Sequence, residues 1–163
     1  RTPHYGGAVA LRTGTLAVTN GAIAATMKPT VHIAEGATWQ LRGDVALTNV
    51  TVSGSGTVEG GMLTDPTLKV DWTEDDDPLD GPVFTGTVMG KVMVDFGHTE
   101  EKPMLRPYPK KLLIATCSNN DRLILKAKNI GAKQVHATFY RDPEDNTKIR
   151  CDVAQLGFTV IFR

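Results

Sequence analysis

The chain has 163 residues, 40% of them hydrophobic and 22% charged, a composition that excludes wholesale disorder and leaves one ordinary domain or two small ones. No apolar run approaches the roughly 20 residues that span a bilayer, and the opening RTPHYGGAVALRTG lacks the charged-then-apolar order of a signal sequence, so no membrane insertion is expected. The formal net charge of zero hides 5 Lys/Arg against 10 Asp/Glu in residues 1–90 and 13 against 8 in residues 91–163, but the later cations are scattered singly, with only Lys110 and Lys111 adjacent, which argues against a nucleic-acid partner.

The chain starts at Arg1 without Met and reads as part of something longer, or as a processed product. From Gly14 to Gly61 the text runs TLAVTN, GAIAATMK, TVHIAEGATWQLRG, DVALTNVTVSG and SGTVEGG. Strand formers alternate with Gly and Asn, and no stretch carries the three-to-four spacing of an amphipathic helix. Residues 1–61 are therefore expected to be a short-strand stem or a β-helix-like region. A regular solenoid, a meander and an intertwined stem all fit this text. Ala, Gly, Thr and Val dominate it and leave little bulky core, so its apolar surface must be buried by stacking on further coils or on identical chains.

Residues 62–82, MLTDPTLKVDWTEDDDPLDGP, read as a linker because they hold Pro66, Pro78 and Pro82 and six acidic residues from Asp71 to Asp80. Those carboxylates could supply oxygens to calcium, but they do not follow the regular calcium-loop spacing, and a solvated, self-repelling run is the expectation.

Residues 83–163 break into six strand-like segments: VFTGTVMGKVMVDFG, KKLLIATCS, DRLILKAK, KQVHATFY, KIRCDVA and GFTVIFR. The turn signals SNND, NIGA and RDPEDN separate the later ones. The pattern predicts an antiparallel β-sandwich, jelly-roll-like, closing an all-β chain. By alternation Ile149, Cys151 and Val153 are expected to face the core, as are Phe158, Val160 and Phe162 and, opposite them, Val135, Ala137 and Phe139, with His136 expected to face out. Cys117 and Cys151 sit among apolar residues and are expected as two buried thiols, since a free Cys packs as a small hydrophobe. No CxxC or paired Cys/His spacing supports a metal site, and nothing calls for a cofactor.

No catalytic motif is present. His4, His32, His98 and His136 are scattered, and carboxylates for sugar cleavage would have to come from Asp95, Glu100, Glu101, Asp121 and the acidic run. An enzyme contained within these residues is disfavoured. Arg42-Gly43-Asp44, a tripeptide known from integrin ligands, reads as ordinary turn punctuation.

The loop GHTEEKPMLRPYPKK, residues 97–111, is stiffened by Pro103, Pro107 and Pro109. It offers Arg106 and Tyr108 as a planar fork and a flat ring for a sugar, at low entropic cost. The alternative for this loop is a long crossover with Tyr108 on the core. Tyr140 and Arg141, at the tip of the Phe139–Lys148 hairpin, form a second candidate binding rim.

The Gly/Thr/Val/Ala-rich run VHIAEGATWQLRGDVALTNVTVSGSGTVEGG, followed by a compact β module, resembles the distal part of bacteriophage tail fibres and tailspikes. Pectate-lyase-like β-helices and bacterial surface adhesins share the texture. The resemblance implies a homotrimer on the virion whose terminal domain binds a bacterial surface glycan or protein receptor. Two alternatives come with it: the terminal fragment of a polysaccharide-degrading spike, and an adhesin at the bacterial cell surface.

Overall fold

The computed structural model describes residues 7–19, 28–118 and 122–156. His4, most of GAIAATMK, Asp121 and the segment GFTVIFR, with Phe158, Val160 and Phe162, lie outside the described residues. Among those described there are thirteen strands and no helix, and the chain is all-β.

The strands wind into a solenoid with three faces. The first face aligns, in parallel, β1 (Ala8–Leu11), β3 (Thr30–Ile33), β5 (Thr51–Ser53), β7 (Thr67–Lys69) and the later part of β9 (Thr87–His98), which also pairs in parallel with β11 (Leu123–Ile130). The second face holds β2 (Thr15–Val18) and the first parts of β4 (Thr38–Thr48) and β6 (Thr57–Thr64), followed by β8 (Val83–Phe84) and the end of β10 (Leu112–Cys117). The third places Ala46–Thr48 beside Met62–Thr64 and those beside Thr87–Met89. Ala8 lies next to Thr30, Thr30 next to Thr51 and Thr51 next to Thr67, so a coil takes roughly 20 residues, the short end of the range for solenoid repeats.

Register explains why a chain so poor in bulky residues can do this. Stacking brings like onto like: Val31, Val52, Leu68 and Val94 form one buried inward row. Trp39, Val58, Phe84 and Cys117 form a second, and Leu47, Leu63 and Val88 a third. Thr30, Thr51 and Thr67 make an outward row, as do Thr15, Thr38 and Thr57. Each inward Val or Leu contributes about 1.5–3 kcal/mol by leaving water. At the corner before the first face, the carbonyls of Pro29, Val50 and Pro66 accept from the N–H groups of Thr51, Thr67 and Met93 at 2.9, 2.8 and 3.0 Å. Proline is tolerated there because its carbonyl serves the next coil and its missing N–H is not needed.

Residues 62–82 are not a linker. They carry the end of β6 and all of β7, and Leu63, Leu68 and Val70 are buried in the common core. The acidic composition that suggested a boundary belongs to residues 71–80, which form a closed turn on the solenoid edge. There Leu79 N donates to Asp71 O (2.9 Å), Thr73 N to Asp77 O (2.8 Å), and Trp72 bridges to Pro78. The sandwich expected for residues 83–163 is also replaced: β9, β11 and the end of β10 continue the parallel coils. Antiparallel pairing between strands is confined, among the described residues, to β10, β13 (Lys148–Gln155) and β12 (Val135–Arg141). The RDPEDN turn joins β12 to β13 as a hairpin, as its residues predict. Alternation cannot tell parallel from antiparallel partners, because both bury every second side chain.

Cys117 and Cys151 are buried thiols not joined in a disulfide, and Ile149, Cys151 and Val153 all face the core. His136 is exposed. Burial, with the Asp152 charge adding to it, pushes the Cys151 thiol up to about 12. Its folded value thus lies above the ordinary thiol value of about 8.5. The stability this neutral thiol contributes is complete below that ordinary value and is lost as pH rises toward the folded one. A chromogenic disulfide reagent at pH 8 is expected to find no Cys151 thiol until denaturant is added, and thermal midpoints should fall from pH 8 to 10. Rapid labelling of Cys151 in the folded protein would contradict its burial.

Candidate functional site

Five connections cross one edge of the solenoid, the edge between the first and second faces: residues 12–14, 34–37, 54–56, 70–82 and 99–111. The first three are tight turns and the last two are long excursions. In a solenoid the coil interior must stay in register, so extra chain can be accommodated only as loops, and loops on one edge stack into one surface. Two hollows are built there.

The first hollow, about 690 Å3, lies between the 99–111 excursion and the end of β13. It is lined by Arg106, Pro107, Tyr108, Lys110 and residues 153–156. Arg106 is exposed, and its Cζ stands 5.6 Å from the centre of the Tyr108 ring, within cation–π range. The same guanidinium donates to Gln155 Oε1, and Gln155 Nε2 donates to Gln134 Oε1 at 3.0 Å. Tyr108 is half-buried and packs against the core. The loop is thus a crossover that seats Tyr108 on the core, and it leaves Arg106 exposed. The fork and the ring are not offered separately, because the guanidinium lies over the ring.

Tyr140 and Arg141 do not join Arg106 and Tyr108. They line a separate depression of about 190 Å3 with Leu123, Leu125, Phe139 and Ile149. Tyr140 is tied down: its hydroxyl donates to Asp152 Oδ1 (3.3 Å), which also accepts from Lys111 N (2.7 Å). Burial and the Asp152 carboxylate raise the Tyr140 pKa above the usual phenol value. The neighbouring hairpin is held by charge. Arg150 Nε donates to Asp142 Oδ2, which holds the Asp142 carboxyl below the usual carboxylate range. The Thr147 hydroxyl and then Lys148 do the same for Asp145.

The second hollow, about 530 Å3, was not foreseen. Its lining includes His32, Glu35, Asp71, Trp72 and Leu79. His32 Nδ1 lies 3.0 Å from Ser53 Oγ on the next coil and 3.3 Å from Asp71 Oδ2 on the 70–82 excursion. The second contact is within ion-pair range but outside hydrogen-bonding geometry, and Asp71 Oδ2 is buried. Trp72 Nε1 donates to Phe96 O (2.9 Å), and its ring meets His98 edge-on with centres 4.6 Å apart. Ser, His and Asp in contact invite a nucleophilic triad, which the geometry denies. Both partners approach the same imidazole nitrogen, whereas a relay needs one at each, and Ser53 is only 5% exposed.

Thus His32 and His98, far apart in sequence, converge on Trp72 and Asp71, and only coil register could have revealed it. Asp95 is spent elsewhere: Oδ1 accepts from Gly97 N and Asn129 Nδ2, both at 2.9 Å, and Oδ2 lies 3.6 Å from Lys128 Nζ. Arg42, Gly43 and Asp44 are exposed where β4 turns from the second face to the third. No group of three or more His, Cys, Asp or Glu among the described residues is placed to hold a metal ion. No helix among them is long and apolar enough to cross a membrane.

These features define the molecule as a parallel β-solenoid whose long excursions gather at one edge and wall two hollows there. Comparison of the chain with protein-family models, with curated proteins and with solved structures finds no match.

Proposed function

We propose that the chain is a carbohydrate-binding and structural module of a bacteriophage tail fibre or tailspike, borne on the virion as a homotrimer and recognising bacterial surface glycan. The observation that supports this reading best is the hollow beside β13. There Arg106 is held by Gln155 and by the Tyr108 ring on a rigid edge, so a polar, ring-shaped ligand could be gripped with little ordering cost. A weak site of this kind gains from repetition, and three copies on one fibre would raise avidity without any new contact.

The depolymerising-spike reading is favoured by one observation, the His32–Asp71 contact at the second hollow, where a histidine held by Ser53 and facing a carboxylate could move protons. One experiment separates the two: incubate the purified chain with host surface polysaccharide, then assay retention and product. Intact polymer retained by the protein, with affinity reduced about tenfold or more in Tyr108→Ala, is the expected result. Release of reducing ends or of unsaturated product would select the enzyme instead. Neither retention nor cleavage would defeat both.

A further inference from the structure

We infer that the hollow beside β13 selects a carboxylate-bearing sugar, a uronic-acid-like unit, over a neutral one; this rests on the glycan-binding reading above. Three observations carry it.

The first is the lining. Among the described residues it contains two cations, Arg106 and Lys110, and no carboxylate. Among the described ion pairs none engages either cation.

The second is how the nearby acids are spent. Asp152 accepts from the Lys111 backbone and from Tyr140, and Asp142 is committed to Arg150. Arg150 in turn donates to Lys111 O at 2.7 Å. These carboxylates are thus engaged by Arg150 or by neutral donors, and among the described residues none of them is paired with Arg106 or Lys110.

The third is the way Arg106 is held. Its described partners are a neutral amide, Gln155 Oε1, and the face of Tyr108. The guanidinium lies over the ring, so an incoming sugar meets a supported cation at the wall of the hollow. A guanidinium has five N–H donors in a fixed fork that matches a carboxylate with two parallel hydrogen bonds, and a single bond to an amide leaves most of that capacity for a ligand. The ring and Gln155, which Gln134 holds in turn, keep the fork ordered before the ligand arrives. Lys110 adds a mobile point charge that attracts the same anion without demanding geometry.

The test uses a panel of bacterial surface polysaccharides, acidic and neutral, each in native form and after chemical reduction of its carboxyl groups to alcohols. Binding is followed by calorimetry or surface plasmon resonance with the whole chain. The polymers that bind should be acidic, carboxyl reduction should weaken them about tenfold or more, and added salt should weaken them further. Arg106→Gln should remove the preference for the native form, Lys110→Gln should reduce it, and Arg106→Lys should restore part of it, because charge returns without the fork. Lys126→Gln, which removes an exposed cation of β11 outside both hollows, should leave the preference untouched. Equal binding of native and reduced polymers, or tight binding of neutral ones, overturns the inference and leaves glycan binding standing. Binding that survives carboxyl reduction only in phosphate-bearing polymers also overturns it, in favour of phosphate. Failure of every polymer, acidic and neutral, would defeat the glycan reading itself.

Discussion

Gly54→Ala is expected to destabilise the protein by more than about 4 kcal/mol, enough to leave little folded chain at 37 °C. A Cβ placed on Gly54 would lie 2.0 Å from the carbonyl oxygen and 2.7 Å from the carbonyl carbon of Ile33, one coil below. Both are backbone atoms, and no rotamer change can move them. Gly54 also has φ +88°, a conformation that disfavours side chains by about 1–2 kcal/mol before any clash is counted. Relief requires the two coils to separate at the edge, which would break Gly56 N to Ile33 O, a 3.0 Å bond between them. The measurement is a urea titration followed by far-UV circular dichroism, with Gly97→Ala as control. Gly97 also has positive φ, but nothing lies within 4 Å of an added Cβ, so its cost should be the conformational one alone. Equal midpoints for the two variants would show that coil contact at Gly54 is looser than described.

Trp39→Ala is expected to cost about 3–5 kcal/mol, a large part of the total for an ordinary domain. Trp39 is among the largest fully buried side chains, 1% exposed, and stands in the inward row with Val58 and Phe84. Its register partners, Leu16 and Val58, lie on strands pinned by parallel hydrogen bonds, so the coils cannot close over the gap and the cavity term persists. Trp39→Phe should recover more than half of the loss. A Trp39→Ala variant within about 1 kcal/mol of the parent in denaturant would mean that the second-face row is not a packed core.

Both effects come from stacking, and stacking is where reading of the sequence reached its limit. The alternation in TVHI and TVS gives strands with Val31 and Val52 inward, and their likeness suggests repetition, yet the intervals from Thr30 to Thr51 and from Thr51 to Thr67 are unequal. Unequal intervals blur any fixed repeat, because loops absorb the difference outside the core. The same blurring made residues 62–82 look like a linker: β7 is three residues long, and the acidic excursion that follows dominates the composition around it.

The candidate sites divide in the same way. Arg106 and Tyr108 were legible because they are close in sequence and lie in a proline-stiffened loop. That the guanidinium would cover the ring was not legible, since it depends on Gln155 arriving from β13. His32, Asp71, Trp72 and His98 come from separate coils and could be assembled only by register.

What the sequence by itself determined is the all-β character, the inward and outward assignment of side chains within a strand, the burial of both cysteines and the hairpin between β12 and β13. These depend on a period of two and on local turn chemistry, which neighbouring residues specify. Only the tertiary structure decided which strands are partners, that they run parallel, that among a stem, a meander and a β-helix-like solenoid the last is built and continues where a linker and a sandwich were expected, and which side chains share a hollow. Those outcomes depend on contacts between residues a whole coil apart, whose energies are summed over the stack and are not written in any single stretch of chain.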